Sequence, residues 1–266
     1  MLNIGHSLCA LVDSKEFLEK QMAIIYKVLS SMDIEIQRQE AIAKNLAGAP
    51  VPGFKGESVV STDFDGYLNQ YTAEGQGTVY DQNSINFEKG PVKHTGRNLD
   101  FAIGNEGFFE VTNSKGESFY TRNGRFTLSN SGELITSEGY KVEGRTGDLA
   151  FDATDNMNEI EIGADGTISV GGKEIGALKV VEFANMNNLE RMSGSYFAVK
   201  RGNQNEVSEL DPNQIRVMGR TLEESNISIV KEMISMIDSM RKYEMASKVL
   251  KMTDGLRSKE QSTFGG

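Results

Sequence analysis

Ile229-Val230-Lys231-Glu232-Met233-Ile234-Ser235-Met236-Ile237-Asp238-Ser239-Met240-Arg241-Lys242-Tyr243 is the stretch on which the fold turns. Ile229, Met233, Met236, Met240 and Tyr243 fall in alternating steps of four and three. Leu222 upstream and Leu250 downstream hold the same register, with Asn226 and Ser247 as polar interruptions. Such a spacing is the seam of a helix that packs lengthwise against another helix. Near the other end of the chain Leu18, Met22, Ile25, Leu29, Met32 and Ile36 repeat the rhythm, and Ala43 and Leu46 continue it past Gln39. Matching seams at the two ends predict helices that pair with each other or with neighbouring copies. That pattern belongs to a polymer subunit rather than to an enzyme. Val28, Ile34, Val230, Ile234 and Ile237 widen each stripe beyond the footprint of one partner, which favours contact with several neighbours. The methionines at 233, 236, 240, 245 and 252 supply soft side chains that suit unlike partners or simply fill a core.

The first helix is expected to open at Asp13 or Ser14, where Asp13 with Glu16 reads as a capping box, and to run to Ala47. Gly48, Pro50 and Pro52 close it: Gly suits the left-handed position after a helix, and Pro cannot continue one. Residues 53–75 read as an extended linker. From Gln76 to Val217 short β-rich runs alternate with tight-turn signals: Ser114-Lys115-Gly116, Asn123-Gly124, Asn130-Ser131-Gly132, Ser137-Glu138-Gly139, Asp165-Gly166 and Gly171-Gly172. Tyr120 to Phe126 reads as a hairpin with aromatic cross-strand packing. Gly219-Arg220 closes the β-region, and Thr221 with Glu224 reads as a second capping box that opens the C-terminal helix. The resulting plan is α+β. Residues 1–21 form an N-terminal extension, 22–52 and 221–260 form a discontinuous coiled-coil domain, 53–75 link it, and 76–220 form a mostly antiparallel β-domain.

Composition narrows the function. The net charge is −10 and no basic run stands out, which argues against nucleic acid as partner. No apolar run approaches the ~20 residues that span a membrane. The start is a poor secretory signal, since Asp13, Lys15 and Glu16 follow at once on the short apolar run Leu8 to Val12. One cysteine, Cys9, allows no internal disulfide and no cysteine-based zinc site. His6 and His94 are the only histidines, so a histidine triad or a multi-histidine metal site is nearly excluded. Gly104 and Gly107 lack the fingerprint of a phosphate loop. Asp63-Phe64-Asp65-Gly66 and Asp152 to Glu159 lack calcium-loop spacing. No catalytic residue, cofactor site or metal site is assigned. Asn226-Ile227-Ser228 matches a glycosylation sequon by chance.

Several segments taken in order resemble one family. Asn45-Leu46-Ala47 followed by Pro52-Gly53-Phe54-Lys55 is similar to the signature of flagellar basal-body rod and hook proteins. Leu99-Asp100-Phe101-Ala102-Ile103, Gly107-Phe108-Phe109 and Tyr120-Thr121-Arg122-Asn123-Gly124-Arg125-Phe126 resemble its middle signatures. Leu222 to Ile227, Glu232 to Ile237 and Arg241-Lys242-Tyr243-Glu244 resemble its final helix. Gly48 and Val51 depart from the pattern, which usually has Asn and then Thr or Ser there.

The resemblance implies a structural subunit of the basal-body rod, exported unfolded and without a cleaved signal by the flagellar type III apparatus. It implies partners among copies of itself and other flagellar axial proteins. The length and the Arg216-Val217-Met218 run are most similar to the proximal rod type, with the distal type as the alternative. The residues expected to carry assembly are Leu29, Met32, Ile36, Asn45, Leu46, Gly53, Phe54, Ser225, Asn226, Met233, Met236, Met240, Tyr243 and Leu250. Family members begin near Met22, so residues 1–21 are expected to be dispensable or untranslated. Two other readings stay open: a β-domain binding module on a coiled-coil stalk, and a carboxylate-dependent hydrolase with a β-domain cleft.

Overall fold

The computed structural model describes residues 4–60, 82–152, 159–202 and 207–264. Within its helices, side chains are described for Met22, for residues 25–48 and for most of 229–255. Most of the expected linker, with the Asp63–Gly66 stretch, lies outside the described residues, as do 153–158 and the side chains of 1–21.

Helix α1 (Ile4–Gly48) is followed by strands β1 (Glu57–Val60), β2 (Gln82–Ile85), β3 (Val92–His94) and β4 (Phe101–Ile103). Strands β5 (Phe108–Thr112), β6 (Ser118–Thr121), β7 (Phe126–Leu128), β8 (Leu134–Thr136) and β9 (Lys141–Val142) come next. Then follow β10 (Ile160–Ile162), β11 (Thr167–Val170), β12 (Lys173–Ala177) and β13 (Val180–Phe183). The last strands are β14 (Leu189–Ser193), β15 (Tyr196–Val199), β16 (Val207–Glu209), β17 (Val217–Gly219) and β18 (Thr221–Glu223), before helix α2 (Ile229–Phe264). The class is α+β. Two units divide the chain: a β-unit of residues 44–57 and 84–229, and a helical unit from the remainder.

The largest sheet of the β-unit runs β14-β15-β6-β5-β9-β8-β7, with β13 joining β5 to β16. A second sheet is β10-β11-β12, and β17-β4 and β18-β3 form two-stranded pairs, all antiparallel. Most of the glycine turn signals sit where they were read. Gly116, Gly132, Gly139, Gly166, Gly171 and Gly172 all have positive φ and lie between consecutive paired strands. Two clusters fill the interior. Adjacent residues of β5 point into different ones, Phe109 with Phe101, Phe126 and Leu134, and Phe108 with Tyr120, Phe183 and Phe197. That is the period of two of an extended strand buried on both faces.

Four expectations need correction. First, α1 reaches back to Ile4, so Asp13 lies inside the helix and not at its start. Second, Tyr120 to Phe126 is not a hairpin. β6 pairs with β5 and β15, while β7 pairs with β8. Gly124 is there because a Cβ would sit 1.8 Å from the Phe101 carbonyl oxygen. Third, Thr221 and Glu224 do not open a helix. Residues 221–223 pair with β3, the Glu224 amide donates to the Pro91 carbonyl, and α2 begins at Ile229. The β-unit therefore runs past residue 220. Arg220, the only non-glycine residue with positive φ among those described, turns the chain from β17 into β18. Its carbonyl is held by the Thr95 and Gly96 amides at 2.8 and 3.2 Å. Fourth, residues 53–57 are not linker but buried structure.

Candidate functional site: the junction where both chain arms enter the β-unit

Gly48, the last residue of α1, does not take the left-handed conformation. Its missing side chain instead leaves room for Phe54, whose ring would lie 2.3 Å from a Cβ at this position. The left-handed glycine is Gly53, with φ +67°. Its amide donates to the Glu223 carbonyl at 2.7 Å, tying the turn after α1 to the strand before α2. The usual Asn at 48 and Thr or Ser at 51 are thus replaced by a close ring contact and by a backbone turn, the Val51 amide on the Gly48 carbonyl at 2.9 Å.

Beyond this turn, Lys55 enters the interior and is 0% exposed. Its Nζ donates to Glu223 Oε1 at 2.5 Å and to the Glu88 carbonyl at 2.8 Å. The Gly90 amide reaches the same Oε1 at 3.0 Å, and Arg122 Nη1 donates to Oε2 at 3.3 Å. One buried carboxylate therefore stands between two buried cations. Burial lowers the pKa of the Lys55 ammonium, and Glu223 opposes that by charge and hydrogen bond. Burial also lowers that of Arg122, again opposed chiefly by Glu223. Arg122 further donates to the Asn105 carbonyl at 3.0 Å, and its guanidinium lies 5.2 Å from the Phe108 ring centre.

A third cation closes the other side. Arg191 lies over the rings of Phe54 and Phe197, at 4.4 and 5.0 Å from their centres. Its guanidinium donates to the Glu57 carboxylate and to the Lys55 carbonyl. Asn45 and Glu57 exchange hydrogen bonds at 2.8 Å, Nδ2 to carbonyl and amide to Oδ1. Asn226 makes the matching contact from the other arm. Its Oδ1 accepts from the Gly56 amide at 2.8 Å, and its Nδ2 donates to the Asn86 and Glu88 carbonyls at 2.8 and 3.0 Å.

The expected assembly residues thus fall into two groups. Asn45, Gly53, Phe54 and Ser225 are buried, with Leu46 and Asn226 half-buried, all in this junction. Leu29, Ile36, Met233 and Met240 are exposed, whereas Met32, Met236, Tyr243 and Leu250 are half-buried. In the helical unit the seam is displaced in part from its expected line. The less exposed positions of α1 include Ile25, Val28, Met32, Ile34, Glu35, Ala41 and Ile42, and those of α2 include Glu232, Met236, Ser239, Tyr243, Ala246, Ser247 and Leu250. Ile25, Met32, Met236, Tyr243 and Leu250 keep the expected register, whereas Leu29, Ile36 and Met240 are exposed. The apolar arc is wider than one contact, and the pair uses one edge of it. The helices touch where Ser239 Oγ donates to the Glu35 carbonyl at 3.1 Å.

The sequence reading missed Lys55, Glu223, Arg122 and Arg191 as site residues. Lys55, Arg122 and Glu223 stood in family motifs, but nothing local pairs a charge with one 168 positions away. Among the described residues no group of three or more His, Cys, Asp and Glu is placed to hold a metal ion, and no helix is long and apolar enough to cross a membrane. The junction offers packing and charge pairing.

Comparison with known proteins fits this architecture. Residues 102–170 match the family model of the flagellar hook protein FlgE/F/G D1 domain, and residues 218–261 match that of the flagellar basal body rod FlgEFG protein C-terminal region. The chain is 31% identical over 247 residues to the flagellar basal-body rod protein FlgF of Salmonella typhimurium, covering 86% of this chain and 93% of that one. The chain belongs to the flagellar basal-body rod protein family. It is also 29% identical to FlgF of Buchnera aphidicola over 86% of this chain and 93% of that one. With FlgG of Borreliella burgdorferi the identity is 28%, over 88% and 96%. The relatives at 31% and 30% are both FlgF proteins. The present chain is a structural subunit of the flagellar basal body and not an enzyme. The C-terminal family match begins in β17 and so includes β18, Glu223 and Asn226, the strand side of the junction, along with α2.

Proposed function

We propose that this rod protein joins copies of itself and other flagellar axial proteins through the apolar faces of α1 and α2. The observation that carries the reading is the set of large apolar side chains left in solvent on both helices. Met233, Ile234, Ile237 and Met240 on α2 are 49–63% exposed, and Met22, Tyr26, Leu29 and Ile36 on α1 are 41–60% exposed. An uncovered apolar surface on this scale marks a contact site. Each such side chain gains about 1.5–3 kcal/mol when a neighbour covers it. The β-unit, by contrast, buries most of its large apolar residues in its own two clusters, with Val92, Met192, Met218 and Ile229 left exposed. Exposed methionines at 233, 240, 245 and 252 suit a surface that must fit neighbours of differing shape. The same reading has the chain exported by the flagellar type III apparatus without a cleaved signal and entering the rod at its proximal part. The family relationship and the acidic interruption of the first apolar run support it.

The test is Met240→Asp and Met233→Asp in the full chain. Either carboxylate is solvated in the free subunit and would be buried without a partner in a rod. Basal bodies isolated from the variants should lack the subunit, while the purified protein melts at the wild-type temperature. Normal incorporation of both variants would show that this face stays in solvent.

A further inference from the structure

Two strands of the β-unit have an open edge: β10 pairs with β11 alone, and β16 with β13 alone. In an antiparallel pair alternate residues turn their amide and carbonyl toward the partner, and those between turn them away. The Gly163 amide donates to the Thr167 carbonyl at 2.7 Å, and the Gly171 amide to the Glu159 carbonyl at 3.4 Å. Residues 159, 161 and 163 therefore face β11, and Ile160 and Ile162 turn their backbone groups outward. On β16 the Leu210 amide donates to the Val180 carbonyl at 3.0 Å, so Ser208 faces β13 while Val207 and Glu209 turn outward. These outward groups have no hydrogen-bond partner among the described residues. All three residues of β10 line a groove of about 410 Å³, with Asn98, Gly219 and Arg220 as its other wall. Arg220 holds left-handed backbone, φ 55°, which is cheap only for glycine. Three donors on its carbonyl keep it there, the Thr95 and Gly96 amides at 2.8 and 3.2 Å and the Thr95 hydroxyl at 3.3 Å. Its side chain is exposed and makes no hydrogen bond or ion pair among the described residues. Strain of this kind persists where a side chain is needed.

We propose that β10 of one copy takes β16 of a second copy as an added antiparallel strand, with Ile160 opposite Glu209, Glu161 opposite Ser208 and Ile162 opposite Val207. This register sets the outward groups of the two edges against each other. It places the Ser208 hydroxyl beside the Glu161 carboxylate. The incoming segment also carries Glu209 and Asp211 to a groove whose rim holds the unpaired cation of Arg220. Within its own chain Glu209 engages Arg145 through Oε1 alone, which leaves Oε2 for this contact. Two unlike edges that pair head to tail give a ring or a helix of copies rather than a closed dimer. Edges of three residues are short enough to stay unpaired in the free subunit. The pairing adds to the contact proposed for the helices, and it rests on the reading that copies of this chain meet in the rod.

The experiment uses full chains carrying Cys9→Ser with either Glu161→Cys or Ser208→Cys, expressed together and oxidised in isolated basal bodies. Opposed residues that share no hydrogen bonds lie about 4.5 Å apart at Cα, within the span of a disulfide. A dimer linked from position 161 to position 208 should form, and either variant alone should give none. Basal bodies that contain both variants and yield no such dimer would overturn the pairing, as would a 161–161 or 208–208 dimer. Arg220→Gly relieves the backbone and removes the cation. The purified protein should melt no lower than wild type, while the yield of the 161–208 dimer falls severalfold; an unchanged yield would overturn the role of Arg220. Val207→Pro needs no cysteine. It deletes one outward amide and leaves the bonds to β13 in place, so it should melt as wild type does and incorporate severalfold less. Normal incorporation would again overturn the pairing. Met240→Asp separates the two contacts. If it blocks incorporation while Val207→Pro incorporates normally, the strand pairing fails and the helical reading stands. If it incorporates normally while the 161–208 dimer forms, the helical reading fails and the strand pairing stands.

Discussion

Lys55 Nζ and Glu223 Oε1 lie 2.5 Å apart, both fully buried, and they join the segment after α1 to the strand before α2. Removing one partner from a buried pair costs far more than the pair contributes, because the remaining charge is stranded. Glu223→Ala strands both Lys55 and Arg122. It should destabilise the β-unit by about 3–5 kcal/mol. Lys55→Met leaves Glu223 with Arg122 and the Gly90 amide, and it should cost less. Urea unfolding midpoints of the two variants check the order.

Gly48→Ala should destabilise the protein although alanine is the better helix former. Propensity alone predicts a gain of up to about 1 kcal/mol. The added Cβ would meet the Phe54 ring at 2.3 Å, and that ring is clamped under Arg191. Overpacking of this kind costs about 1–3 kcal/mol. A raised melting temperature would mean that the ring moves freely.

Asn226 serves as both donor and acceptor, so shape alone cannot replace it. Asn226→Ala removes the partner of the Gly56 amide and the bond to the Asn86 carbonyl, and leaves the Glu88 carbonyl to Lys55 alone; it should cost about 1–3 kcal/mol. Asn226→Asp keeps the acceptor for Gly56 but turns a carboxylate oxygen toward the Asn86 and Glu88 carbonyls. It should cost at least as much as alanine at pH 7. Thermal melting of the three proteins side by side decides it.

The pH dependence should be strongest on the alkaline side. Burial, with Glu110 adding, pushes the Tyr120 phenol up to about 12. Tyr196 is also raised, by burial and by the bond its hydroxyl donates to Glu138. Between pH 10 and 12 the unfolded chain has released phenolic protons that the folded chain still holds, so stability falls as pH rises. The loss from Tyr120 approaches about 2 kcal/mol by pH 12. Lys55 acts in the opposite sense. Its lowered pKa adds stability as pH rises toward its ordinary value of 10.5, and nothing beyond. Urea midpoints from pH 8 to 12 should therefore drop beyond pH 10, and less steeply in Tyr120→Phe.

Much of this fold was legible along the chain because its signals are local. The alternating three-and-four step needs only neighbours within two turns, and it gave both terminal helices. Glycine at Gly116, Gly132, Gly139 and Gly166 marked its turns because left-handed backbone is cheap only for glycine. The ordered motifs from Asn45 to Glu244 gave the family. Where the reading failed, a local rule met a distant partner. Thr221 and Glu224 have the spacing of a capping box, but β3 takes residues 221–223 as a strand, and β-pairing is decided by whichever strand arrives alongside. Gly48 resembled a helix terminator, and its reason is a phenylalanine six residues on.

The sequence by itself determined two helical arms, a β-region between them and membership of the rod family, because periodicity, turn chemistry and motif order are properties of short windows. Only the tertiary structure decided that Lys55, Arg122 and Glu223 meet. A charge cannot announce a partner 168 residues away, and burial makes that pairing obligatory once the strands close. Only the structure decided, too, which edge of each apolar arc is spent within the chain and which is left for others. An arc wider than one contact admits more than one seam, and the tertiary structure brings Ser239 onto the Glu35 carbonyl.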